Sequence, residues 1–154
     1  MLEFFATKGW FLLALGAAMS WGVGYAMLGR LLHMGITTSF LMVTSGIVST
    51  VVFGGLLLWR DWGANSKVIA QSGLWVVAAA FGLGLLYNLA NVLILSSIQQ
   101  KNATLASLVE ISYPIFTVFF AWLFFREMHL NVGTTVGAAL VLAGMVVIFT
   151  FGGE

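Results

Sequence analysis

Five stretches of this sequence, residues 9–32, 36–59, 73–98, 103–125 and 130–151, are apolar almost throughout. Each is long enough to cross a bilayer as a helix, which takes about 20 residues at ~1.5 Å rise over a ~30 Å hydrocarbon core. A backbone in lipid must bond all of its own N–H and C=O groups, so only helices or a closed barrel can span. Barrel strands alternate apolar and polar at every second residue, whereas residues 74–86 and 115–125 are apolar without that alternation. The expected fold is therefore all-α: one integral membrane domain over residues 1–154, with five transmembrane helices and the termini on opposite sides.

Composition excludes the soluble alternatives. Charged residues make up 7% of the chain and the mean hydropathy is +1.07, against the roughly 25% charge that a water-exposed globule carries. The net charge is +1 with no basic run, which leaves nucleic acid without an electrostatic footprint. There is no cysteine, and the two histidines are far apart, so disulfides, thiolate chemistry and a transition-metal site are not expected. No HExxH or GxSxG motif is present, and nothing points to an enzyme or a cofactor. The first stretch exceeds the apolar core of a signal peptide and is expected to be retained.

The breaks at residues 30–35, 99–102 and 126–129 read as tight turns, and residues 60–72 as a surface loop. Lys8, Arg60, Lys67 and Arg126 then fall on the side of the N-terminus, and Arg30 and Lys101 on the other. By the positive-inside rule the N-terminus is expected in the cytoplasm, in a prokaryotic plasma membrane. Trp10, Trp59, Trp62, Trp75 and Trp122 lie near the boundaries, as interfacial aromatics do.

Against this background Glu110 stands out, eight residues into the fourth stretch. An acid at mid-helix opposes insertion by ~2.5–3.5 kcal/mol, and the twelve Leu, Ile, Phe and Val residues of that stretch favour it by roughly 4 to 7 kcal/mol. The helix still inserts. Ala103, Ser107, Glu110, Pro114, Thr117 and Ala121 recur at helical spacing as a small or polar stripe, with Leu108, Ile115, Phe119 and Trp122 opposite. Pro114 has no N–H to give the Glu110 carbonyl, so a bending point is expected beside the acid. An intramembrane acid marks an ion or substrate path or ties helices together; as a titratable group it can hold a proton and a cation by turns.

Gly84, Asn88 and Asn91 share one face of the third stretch, with Tyr87 beside them; the amides can meet a solute, Glu110 or each other. Trp21 and Tyr25, four apart and deeper than the boundary aromatics, can wall an organic cation. Gly22 and Gly24 are candidate bending points. Gly133, Gly137 and Gly144 give the fifth stretch the small residues that let helices approach.

The chain resembles a single five-helix repeat of the EamA-type drug/metabolite transporter superfamily. The residues that carry the resemblance are Ala14-Leu-Gly-Ala-Ala-Met-Ser-Trp21-Gly22 with Arg30, then Ala103-Thr-Leu-Ala-Ser-Leu, Tyr113-Pro114, residues 121–125, Glu127, Gly137 and Gly144. It departs at Arg126, where the family usually has glycine, and at Glu110, which is not a general family feature. Members commonly carry two such repeats, inverted relative to each other, around a central path. The resemblance thus implies half of a transporter, completed by a second copy (a homodimer, parallel or antiparallel) or a similar five-helix subunit, with the fifth helix packing outside. The expected function is proton-coupled or exchange transport of a small organic metabolite or cation, bound by Glu110, Asn88, Asn91, Trp21, Tyr25 and Tyr87. The alternative is a non-transporting membrane subunit in which Glu110 pairs with a partner's basic residue.

Overall fold

The computed structural model describes residues 2–127 and 131–152, with side chains from residue 9 onward. Helices follow one another as α1 (Leu2–His33), α2 (Thr38–Leu56), a π-helical turn (Leu57–Asp61), α3 (Trp62–Ser72), α4 (Trp75–Gln100), α5 (Ala103–Glu110), α6 (Tyr113–Phe125) and α7 (Val132–Phe151). No strand occurs among the described residues. Five helical stretches are long and apolar enough to cross a membrane: Gly9–His33, Thr38–Ser72, Trp75–Gln100, Ala103–Phe125 and Val132–Phe151. The start of the fifth expected stretch, at Leu130, and part of the turn before it lie outside the described residues.

Residues 60–72 are not the surface loop that their polarity suggests. They continue α2 through the π turn into α3, a helical run of 35 residues in all. The polar side chains bond along the helix instead of ending it: Asn65 Nδ2 donates to the Asp61 carbonyl at 2.9 Å, and the Ser66 hydroxyl to that of Gly63 at 3.1 Å. The run stops only at Gly73, whose φ of +84° suits glycine and few other residues. The other ends are set by local chemistry. Gly35 (φ +91°) turns the chain after α1, and Thr37 accepts from Phe40 N at 3.3 Å to cap α2. Asn102 caps α5 by accepting from Leu105 N at 2.8 Å, and Asn131 with Thr134 forms a capping box at α7.

The contacts divide the chain into two compact units, Leu31–Ser96 and the pair of segments Met1–Arg30 and Ser97–Glu154. In the second of these, α5 is the packed element. A Cβ on Gly29 of α1 would meet Ala103 Cβ at 3.0 Å, and one on Gly152, after α7, would meet Leu105 Cδ2 at 3.3 Å. Ala106 is buried on the same helix. The glycines expected to pack the fifth helix do not carry this contact. Among the described residues, a Cβ at Gly137 or Gly144 meets nothing within 4 Å, and one at Gly133 meets the Asn131 side chain at 3.3 Å. Spacing alone could not say which glycine faces a neighbour. Most large apolar side chains elsewhere are exposed, as lipid-facing surfaces must be.

Candidate functional site

The fourth span is two helices rather than one. Its hydrogen-bond ladder changes step just after the acid: Ile111 N donates to Ser107 O four residues back, but Ser112 N and Ile115 N donate only three back, to Val109 and Ser112, at 3.1 and 3.0 Å. Pro114 starts α6 in the first turn, where a missing N–H does no harm. The chain therefore breaks at Ile111 and Ser112, one step before the proline, and Ser112 is buried there. Glu110 is the last residue of α5. That is the end of the helix where unpaired carbonyls converge, an electrostatic setting that favours a cation nearby.

Facing this break is one side of α1. Ala18, Trp21, Gly22 and Tyr25 recur at helical spacing and, with Ser107, Leu108, Glu110, Ile111 and Tyr113, line a cavity of about 460 Å³. The Tyr25 hydroxyl donates to Glu110 Oε2, joining residues 85 apart in sequence. The Trp21 ring stacks on Tyr25, with centroids 5.8 Å apart and planes at 29°. Glu110 and Tyr25 are half-buried, and Trp21 is exposed at the rim. The Ser107 hydroxyl turns back to Thr104 O at 3.0 Å. Tyr25 donates to a carboxylate in an otherwise mostly apolar cavity, where a buried charge needs such a partner.

Three of the singled-out residues, Trp21, Tyr25 and Glu110, thus meet at one place, with Gly22 in the same wall. α1 runs unbroken through Gly22 and Gly24. Asn88, Asn91 and Tyr87 belong to α4 in the other unit. There Asn88 Nδ2 donates to Gly84 O at 2.9 Å and Asn91 Nδ2 to Tyr87 O at 2.8 Å, so each amide bonds its own helix. Asn88 also borders a shallow groove with Val77, Phe81 and Leu85. Ala18 was readable from the repeat that places Trp21 and Tyr25. Leu108, assigned by its spacing to the face opposite Glu110, lines the same cavity, and Tyr113 joins it from beyond the break. For Tyr113 the reason is the break, since a wheel drawn through the whole span does not describe a helix that ends at Glu110.

The model of the EamA-like transporter family matches residues 8–150. The chain belongs to that family. Family membership and the five spans make it an integral membrane protein of transporter type. No curated protein and no solved structure matches this EamA-like chain. Its departure at Arg126, where glycine is usual, has a local explanation. Arg126 caps α6 in the left-handed region at φ 60°, a conformation that glycine adopts without steric cost. Its guanidinium lies 5.4 Å from the Trp122 ring centroid, a cation–π contact that offsets part of the strain.

Proposed function

We propose that this EamA-like chain transports a small organic metabolite or cation, by proton coupling or exchange, as a dimer of five-helix subunits. The observation that supports this reading is the hydrogen bond from Tyr25 to Glu110 in a cavity wall where the spanning helix is broken. Glu110 binds the proton and the solute by turns. Trp21 and Tyr25 contact the apolar part of the solute. The break at Ile111 and Ser112 lets α5 and α6 move separately, as discontinuous helices do in repeat-built carriers. The paired repeats common in the family support the dimer, and the charge balance favours a cytoplasmic N-terminus in a prokaryotic plasma membrane.

Proteoliposome flux under an imposed pH gradient tests this reading. The unmodified protein should respond to the gradient, and Glu110→Gln, which keeps shape and hydrogen bonding but not the titratable proton, should fold without responding. A gradient response intact in Glu110→Gln would overturn the mechanism. A stable complex with an unrelated membrane protein, without flux, would favour the non-transporting subunit.

A further inference from the structure

The cavity between α1 and the helix break is rich in hydrogen-bond acceptors. The Tyr25 O–H is committed to Glu110 and the Ser107 O–H to Thr104 O, so both hydroxyl oxygens offer a ligand lone pairs, not hydrogens. The Glu110 carboxylate offers only lone pairs as well. The side-chain donors that remain, the Trp21 indole N–H and the Tyr113 hydroxyl, belong to rings that are 60% and 64% exposed, at the mouth. Ala18, Gly22, Leu108 and Ile111 supply apolar wall.

Each class of small ligand meets this arrangement differently. A carboxylate or phosphate faces like charge and acceptors with no hydrogen for it. A neutral alcohol can donate one hydrogen but leaves the negative charge of Glu110 uncompensated. A quaternary ammonium brings charge to the rings but has no N–H for the carboxylate or the hydroxyl oxygens. A protonated amine brings both. Its N–H forms a charge-assisted bond with the carboxylate, the stronger kind, and its other hydrogens can meet the oxygens of Tyr25 and Ser107.

Resting on the reading of Glu110 as the solute-binding acid, we infer that the cavity takes a monovalent protonated amine bearing an apolar or aromatic group, its N–H groups shared between the free lone pairs of Glu110 and the hydroxyl oxygens of Tyr25 and Ser107. Tyr25 then holds the carboxylate through its O–H and accepts a ligand N–H on its oxygen, which contributes to the preference for N–H-bearing cations over quaternary ones. A cavity of about 460 Å³ accommodates an arylalkyl amine.

Calorimetric titration of the full chain in lipid nanodiscs tests this with four probes: 2-phenylethylammonium, its N-trimethyl analogue, 2-phenylethanol and phenylacetate. The primary ammonium should bind at least about tenfold more tightly than the trimethyl analogue, with the alcohol and the acid weaker still. Glu110→Gln should weaken the primary ammonium by about tenfold or more, and Tyr25→Phe should bring the two cations to within about threefold of each other. A purely structural Tyr25 would lower the Tm of Tyr25→Phe and leave the cation ratio as it was, overturning the role assigned to it. Equal affinity of wild type for both cations, tighter binding of the alcohol or the acid, or no heat from any probe at concentrations on the order of 10 mM would overturn the amine assignment. If both cations bind equally yet still require Glu110, the amine inference falls and the solute-binding acid stands. If Glu110→Gln leaves their binding unchanged, that reading falls with it.

Discussion

α4 and the broken α5–α6 span both carry polar side chains through apolar sequence, and they satisfy them in opposite ways. Asn88 and Asn91 each give a hydrogen to the carbonyl four residues back and leave α4 unbroken. Ser20, Thr44, Ser96 and Thr117 do the same on their own helices. Glu110 cannot, because a carboxylate has no hydrogen for a carbonyl; it takes its donor from another helix and lies where its own helix ends. A polar residue that can close a bond within its own turn is tolerated anywhere along a spanning helix. One that cannot must organise its surroundings, and there a cavity forms.

The sharpest way to break this contrast is to exchange the polar group for one of similar size on both sides. Glu110→Gln should reduce gradient-driven flux by about 10- to 100-fold, the loss that corresponds to a charge-assisted contact of ~1.5–3 kcal/mol. Asn88→Leu and Asn91→Leu should change flux by no more than about threefold in the same proteoliposomes, since both amides are already bonded to α4. A loss at either asparagine as deep as that at Glu110 would erase the distinction between the two spans.

A second comparison concerns packing and reads out as thermal stability in detergent. Gly29→Ala places a methyl 3.0 Å from Ala103 Cβ, which cannot rotate away, and should destabilise by about 1–2 kcal/mol, a typical overpacking cost. Gly137→Ala meets no neighbour within 4 Å among the described residues and should be neutral or stabilise by up to about 1 kcal/mol through helix propensity. Destabilisation at Gly137 would reveal that a second subunit packs against α7.

The smallest effect is expected at the end of α6. Arg126→Gly relieves a left-handed conformation, worth about 1 kcal/mol, and loses a ring contact of ~0.5–1 kcal/mol, so its Tm should barely move. Arg126→Ala loses the contact without the relief and should be less stable by about 0.5–1 kcal/mol. Equal melting of the two variants would show that the left-handed conformation carries no strain, and an Arg126→Ala Tm equal to that of the wild type would show that the Trp122 contact contributes nothing.

Much of this was readable from composition and spacing. Apolar length marks the spans, an acid in an apolar run marks Glu110, and the four-residue step between Trp21 and Tyr25 marks a shared face. The pairing of Tyr25 with Glu110 was not, because no local rule joins residues 85 apart. Pro114 announces a missing donor, but the ladder loosens already at Ser112, so a wheel drawn through the whole span does not place Tyr113 in the cavity. Residues 60–72 read as loop because polarity was taken for irregularity, although without proline and with hydrated side chains a helix can simply run on into water.

That continuous rod of α2, the π turn and α3 carries a further consequence. Thirty-five residues span ~52 Å at ~1.5 Å each, some 20 Å more than the hydrocarbon thickness. Its two charges at the exit, Arg60 and Asp61, neutralise each other at 2.8 Å, and Val68 and Ile69 lie two turns further out. In a thicker bilayer this helix should slide deeper by about a turn, where a shorter span would have to stretch the lipid around it. Because the chain has no cysteine of its own, a single one introduced at Ser66 could carry a depth-sensitive label. That label should sink as acyl chains lengthen, and a constant depth would show the rod to be anchored instead.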